Sequence, residues 1–198
     1  MSIQPDRSTW WEPELQEITL EPLEGSGWIL DIGGGGEGVI GQIHPQRVVA
    51  IDRLESELRE APAGPLKLVM DARELGFLED SFETVTAFFT FFYIPLADQP
   101  AVFKEIHRVT KPGGVVWLWD ASIPYPPPGD KKVAIFQLKI HIPGRVIDTG
   151  YGTRWPACEV DCRHFARLAE EAGFKVEQKD CTGLCFRLKL VKPAASRE

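Results

Sequence analysis

Five short, nearly unbroken apolar runs, set apart by polar and helix-forming stretches, restrict what this chain can fold into. They occupy residues 28–32, 47–52, 66–71, 84–89 and 114–120. A strand with one wet face alternates apolar and polar residues, whereas a strand covered on both faces need not. The runs therefore predict a parallel sheet with helices on each side. At 198 residues, 43% of them hydrophobic and 26% charged, the chain suits one domain with an elaboration and can bury a core.

The intervening segments carry helix signals. Residues 101–109 put Val102, Phe103, Ile106 and Val109 on one face, and Pro112-Gly113-Gly114 ends the pattern. Residues 162–172 align Phe165, Leu168, Ala169 and Ala172, with Asp161 as N-cap and Gly173 as the stop. Residues 174–178 and 184–191 read as two more strands. The expected class is α/β, a doubly wound, mostly parallel sheet of seven strands within a single domain, 1–198. Residues 122–157 break the alternation. Tyr125-Pro126-Pro127-Pro128 cannot be helical. Residues 133–142 alternate weakly, Pro143-Gly144 reads as a turn, and 145–151 return as a strand. This segment is expected to be a β-hairpin inserted after the fifth strand, exposing Ile135, Phe136 and Ile147 unless they pack on the domain, cover a site or meet a second copy. Residues 193–198 are expected to fray.

The net charge of −7 opposes broad binding to nucleic acid. No apolar run approaches the roughly 18–20 residues of a membrane span, and the polar residues 1–12 do not read as a signal peptide. A cytoplasmic protein is expected, with Cys158, Cys162, Cys181 and Cys185 reduced. Their paired x3 spacing tolerates zinc, but buried free thiols are common, so neither a metal site nor a disulfide is expected. His141 reads as a surface strand residue.

Chemistry concentrates in Asp31-Ile32-Gly33-Gly34-Gly35-Gly36-Glu37-Gly38, between the first strand and a short helix over 39–43. Glycines there permit positive φ and let a ligand lie on the backbone. Gly33, Gly35 and Gly38 also satisfy the dinucleotide fingerprint. Asp52, ending the second strand, suits a ribose of either a nicotinamide cofactor or S-adenosylmethionine.

Four segments in order separate those two. They are Ile29-Leu30-Asp31-Ile32-Gly33-Gly34-Gly35; Val49-Ala50-Ile51-Asp52; Met70-Asp71-Ala72-Arg73-Glu74-Leu75 with Leu78-Glu79-Asp80-Ser81-Phe82-Glu83-Thr84-Val85; and Arg108-Val109-Thr110-Lys111-Pro112-Gly113-Gly114. Together they span residues 28–120, and Ala172-Gly173-Phe174 extends them. The set resembles the class I S-adenosylmethionine-dependent methyltransferases, in the ubiquinone/menaquinone-biosynthesis-like, type 11 group. The resemblance implies a Rossmann-like sheet. It implies that Asp31 and the backbone of Gly33, Gly34 and Gly35 face the methionine part of the cofactor, and that Asp52 holds the ribose. Asp71 would accept from the adenine amino group, the Ala72 N–H would meet a ring nitrogen, and Phe89 would line the methionine end. Two departures stand out. Glu37 occupies the usual third-glycine position, with Gly38 one later, and Phe91-Phe92-Tyr93 replaces the histidines that relatives often carry there, so no catalytic histidine is transferred.

Transfer from a sulfonium needs alignment more than acid catalysis, because the leaving sulfide is neutral. No compulsory triad is expected. Phe88, Phe89, Phe92, Tyr93 and Tyr125 are candidate walls for a small-molecule acceptor, and Trp10 and Trp11 either pack or form a lid. The competing readings are a nicotinamide-dependent oxidoreductase and a non-catalytic cofactor-binding module. The hairpin is expected to cover the acceptor or to form a homodimer contact.

Overall fold

The computed structural model describes residues 7–181 and 183–194. Along the chain run β1 (Trp10–Trp11), β2 (Gln16–Thr19), β3 (Ile29–Ile32), α1 (Val39–Ile43), β4 (Val48–Asp52), α2 (Glu55–Glu60), β5 (Leu66–Val69), β6 (Phe82–Phe88), α3 (Gln99–Val109), β7 (Thr110–Ala121), β8 (Val133–Ile142), β9 (Arg145–Arg154), α4 (Cys162–Glu171), β10 (Lys175–Asp180) and β11 (Cys185–Val191). Residues 195–198, part of the stretch expected to fray, lie outside the described residues.

Seven strands form one sheet in the order β10-β11-β7-β6-β3-β4-β5. The pairs β3–β4, β3–β6, β4–β5 and β6–β7 are parallel, while β11 runs antiparallel to both β7 and β10. The sheet is therefore mixed. The cause is the short link between β10 and β11, since a parallel return needs a crossover of a dozen or more residues. β3 is wholly buried and β6 nearly so. β5 corrects the reading of every apolar run as a covered strand: it is the sheet edge, with Leu66 54% and Val69 58% exposed.

α3 and α4 cover one face, where Phe103, Ile106 and Phe165 meet Leu118 and Leu188. The other face is only partly helical, because α1 has five residues and α2 six. Its remainder is covered by a second sheet. β8 and β9 form the expected antiparallel hairpin, turning at Gly144 with φ 80°. β1 and β2 then pair in parallel with β8, so the hairpin belongs to a four-stranded sheet, a pairing that the sequence reading did not foresee. Phe136, Leu138 and Ile140 are buried among Phe88, Phe92 and Trp119. Trp11 packs edge-on against Phe136 at 5.7 Å and against Trp155 at 5.4 Å, which is a packing role. His141 lies on β8 and meets Glu17 of β2 at 3.1 Å.

The thiol expectation is corrected. Cys162, opening α4, is disulfide-bonded to Cys181, which follows β10; Cys158 is free and exposed, and Cys185 is free. Spacing along the chain paired neighbours, whereas the fold joins the start of α4 to the turn beyond β10. No described helix is long and apolar enough to cross a membrane.

α4 is capped as expected. The Asp161 carboxylate accepts from the backbone N–H groups of Arg163 and His164, both at 2.9 Å. Gly173, with φ 103°, follows the helix end. Asp161→Ala should lower stability by about 1 kcal/mol in denaturant unfolding, with Asp161→Asn retaining most of it.

Candidate functional site

The carboxyl ends of β3, β4, β5 and β6 meet at one edge of the parallel part of the sheet, the position where open α/β sheets bind ligands. The loop after β3 is pressed into this edge. Gly33 has φ 70°, and a Cβ there would stand 2.5 Å from Thr90 Oγ1. A Cβ on Gly35 would stand 2.5 Å from Glu57 Cβ and 2.9 Å from Asp52 Oδ2. Only glycine lets the loop lie against the end of β4 and the start of α2. Backbone bonds fix it there, from Gly34 N–H to Ile51 O at 3.0 Å and from Gly36 N–H to Glu57 O at 2.9 Å.

Above the loop lies a cavity of about 740 Å³, a size suited to a cofactor and a small substrate. All eight sequence-predicted residues line it: Asp31, Gly33, Gly34, Gly35, Asp52, Asp71, Ala72 and Phe89. Asp31 closes its floor and is 2% exposed. It accepts a hydrogen bond from Thr86 Oγ1 at 2.7 Å. Burial pushes its carboxyl up to about 7, the Thr86 bond working against this and the Asp52 charge adding to it. Asp52 Oδ1 accepts from the Leu54 N–H at 2.8 Å. Asp71 is held by Arg73, whose Nη2 donates to Oδ2 at 2.7 Å, and Arg73 Nη1 reaches Asp98 at 3.0 Å. Hydrogen bonding from the Arg73 side chain keeps the Asp71 carboxyl below its ordinary value.

Phe89 falls just past β6 with φ 50°, unusual for an aromatic residue. Its backbone N–H donates to Trp119 O at 2.8 Å. The following Phe91–Tyr93 stretch is a 3-10 turn. It is pinned by Asp120, a fully buried carboxyl that accepts from Phe92 N–H at 3.3 Å and Ala121 N–H at 2.8 Å. Burial pushes Asp120 up to about 7. Phe88, Phe89 and Tyr93 line the cavity as expected; Phe92 and Tyr125 do not. Phe92 is buried behind Tyr93, and Tyr125 is 53% exposed at the start of the Tyr125-Pro126-Pro127-Pro128 run. Glu37, Glu57, Thr90, Arg73 and Tyr151 belong to the lining but were not singled out as walls. Glu37 had a visible signal as a family departure. Tyr151 had none, because its neighbour Phe89 is 62 positions away and only the fold joins them.

The walls are acidic. Among the described residues, Asp31, Glu37, Asp52, Glu57, Glu60, Asp71 and Asp98 face Arg53 and Arg73 alone as cations, and Arg73 is already bonded to two of the acids. Such a cavity favours a ligand carrying positive charge.

The raised Asp31 has a measurable consequence. An acid whose folded value lies above its unfolded one costs stability as pH climbs from the unfolded value of 3.8 through about 7. Asp31→Asn keeps the acceptor for Thr86 without the ionisation. Its stability relative to the parent should therefore improve steadily from pH 4 to pH 8 in denaturant titrations; a flat difference would remove the buried ionisation.

Residues 30–118 match the family described as "Methyltransferase domain", a segment running from β3 into β7 and containing most of the lining. A curated relative, the demethylmenaquinone methyltransferase of Geobacillus kaustophilus, is 38% identical over 71 residues, which span 35% of this chain and 30% of that protein's length. The fold matches a SAM-dependent methyltransferase from Methanosarcina mazei with a TM-score of 0.60 at 18% identity, covering 88% of this chain and 96% of that one. It also matches the glycopeptide N-methyltransferase MtfA, solved with S-adenosyl-L-homocysteine, with a TM-score of 0.56 at 17% identity over 86% and 83% of the two chains. The glycine loop, the acids near successive strand ends and the matched segment coincide, so the part of the chain that lines the cavity is the part that is similar to methyltransferase domains.

Proposed function

We propose that this protein binds S-adenosylmethionine in the acidic cleft and transfers its methyl group to a small-molecule acceptor, releasing S-adenosylhomocysteine. The observation that carries the reading is the convergence of Asp31, the glycine loop, Asp52, Asp71, Ala72 and Phe89 on one cavity. The donor set fits the cofactor part by part. Asp31 is a buried acid with a hydroxyl partner and no cation, suited to the ammonium of the methionine end. Asp52 stands at the end of β4 to take ribose hydroxyls, and Asp71 with the Ala72 N–H faces the adenine position. The bound cofactor supplies an electrophilic methyl group on a positively charged sulfonium.

What the chain contributes is alignment. Gly33, Gly34 and Gly35 bring backbone into contact range, and Phe88, Phe89, Tyr93 and Tyr151 wall the methionine end with apolar surface that excludes water. Holding two reactants in line supplies up to about 7–11 kcal/mol in favourable systems. Gly150 and Tyr151 of β9 reach the cavity, which supports the reading of residues 122–157 as the acceptor cover; a contact with a second copy is the alternative role. The net charge of −7 argues against nucleic acid as acceptor. The cytoplasm stays the location read from the sequence, with the Cys162–Cys181 disulfide as the feature more usual in oxidising compartments.

A nicotinamide reading fits less well. A pyrophosphate seeks a helix N-terminus free of acids, whereas Glu37 and Glu57 flank the short α1 and the loop here. An antiparallel β11 between β7 and β10 also departs from the all-parallel dinucleotide order.

Calorimetry with S-adenosylhomocysteine and with NAD separates these readings, and labelled methyl transfer into metabolite extracts separates the enzyme from a silent binding module. S-adenosylhomocysteine should bind and NAD should not. Asp52→Ala should weaken the former by about 1.5–3 kcal/mol, the loss of charge-assisted hydrogen bonds. Unchanged affinity in the folded variant would defeat the assignment of Asp52. Asp71→Asn should lose less than Asp71→Ala, because it keeps one acceptor oxygen; negligible effects from both would take Asp71 out of the site.

A further inference from the structure

We propose that Glu37 is a positioning residue that ties the acceptor wall to the cofactor loop, its carboxylate holding the hydroxyls of Thr149 and Tyr151 on β9. The inference rests on the reading of the cleft as an S-adenosylmethionine site. Tyr151 Oη donates to Glu37 Oε2 at 2.8 Å, and Thr149 Oγ1 donates to Oε1. Residues two apart on a strand share a face, so one carboxylate takes both hydroxyls. Hydrogen bonds to an ionised acceptor are stronger than neutral ones. The Tyr151 ring in turn stacks on Phe89 at 5.3 Å with planes 28° apart, and both residues line the cavity.

Glu37 is well placed for this work. It lies between Gly36 and Gly38, with φ values of 56° and 53°. Its carbonyl accepts from Gln42 Nε2 at 2.6 Å, which anchors the loop to α1. Gly34 and Gly35, the expected methionine contacts, lie three and two residues before it. A ligand that steadies this loop therefore steadies Glu37, and through it the β9 segment at the acceptor end. Linkage makes the effect reciprocal: a seated β9 favours the loop geometry that binds cofactor. At the third-glycine position of the family, a carboxylate gives the insertion an anchor that glycine cannot offer.

Hydrogen exchange across β9, measured on the full chain with and without S-adenosylhomocysteine, tests this. In the parent, ligand should slow exchange of residues 147–153 by about fivefold or more, the lower end of ordinary coupling. Glu37→Ala should bring that ratio below twofold, and Glu37→Gln should restore part of it. Tyr151→Phe keeps the ring on Phe89 and removes only the hydroxyl, so it should also lower the ratio in a protein that stays folded. A purely structural role would speed exchange equally with and without ligand, leaving the ratio intact, and would overturn the proposal. Binding to the parent with no protection of β9 would overturn the coupling and leave the cofactor reading standing. No calorimetric binding to the parent would overturn both.

Discussion

The site depends on how closely the loop after β3 approaches the end of β4. With side chains at Gly33 and Gly35, the loop would collide with Thr90 and Glu57, and the cleft would lose its floor. The parallel register puts Asp31 opposite Ala50 on β4 and Thr86 on β6, so Asp31 sits between the two small or polar neighbours that a buried carboxyl tolerates. Ala50 leaves room, and Thr86 supplies the hydroxyl. Moving either pairing by one residue would turn Asp31 to the opposite face of the sheet. Backbone hydrogen bonding thus sets the position of the acid.

Two buried acids play different parts in this arrangement. Asp31 faces the cavity with a single hydroxyl partner. Asp120 faces backbone N–H groups and shapes the turn that presents Tyr93. Both carry raised values for the same reason, removal from water. Only Asp31 stands where a cationic ligand would relieve the cost. A buried acid at a cavity floor trades stability for affinity, in the way of binding sites generally.

Much of the glycine-loop half was legible because it is local. Run, glycine loop, helix and strand follow one another within 28–52, and Asp31 and Asp52 lie at or one residue short of the ends of consecutive strands. α1 formed over 39–43 as read, since His44-Pro45 ends it. Other features were hidden by their range. Nothing near Trp10 or Gln16 says that β1 and β2 will pair with β8. The tie between Glu37 and β9 spans more than a hundred residues. β5 misled because an edge strand can be as apolar as a central one, and neighbours rather than composition decide its exposure. The Cys162–Cys181 bond likewise follows from the way α4 and β10 pack rather than from spacing.

The pairing of β1 and β2 with β8 has a temporal consequence. Trp10 meets Val133 and Gln16 meets Leu138, so the N-terminal strands leave the ribosome about 120 residues ahead of their partner. At ~5–20 residues per second, that is a wait of about 6–25 s. During it, the β3–β7 half can assemble with one face partly bare, since Phe136, Leu138 and Ile140 have not yet arrived to cover Phe88 and Trp119. The nascent chain thus holds the elements of its glycine loop before it holds the strand that meets Glu37, so the wall of the cavity that β9 supplies arrives after its floor.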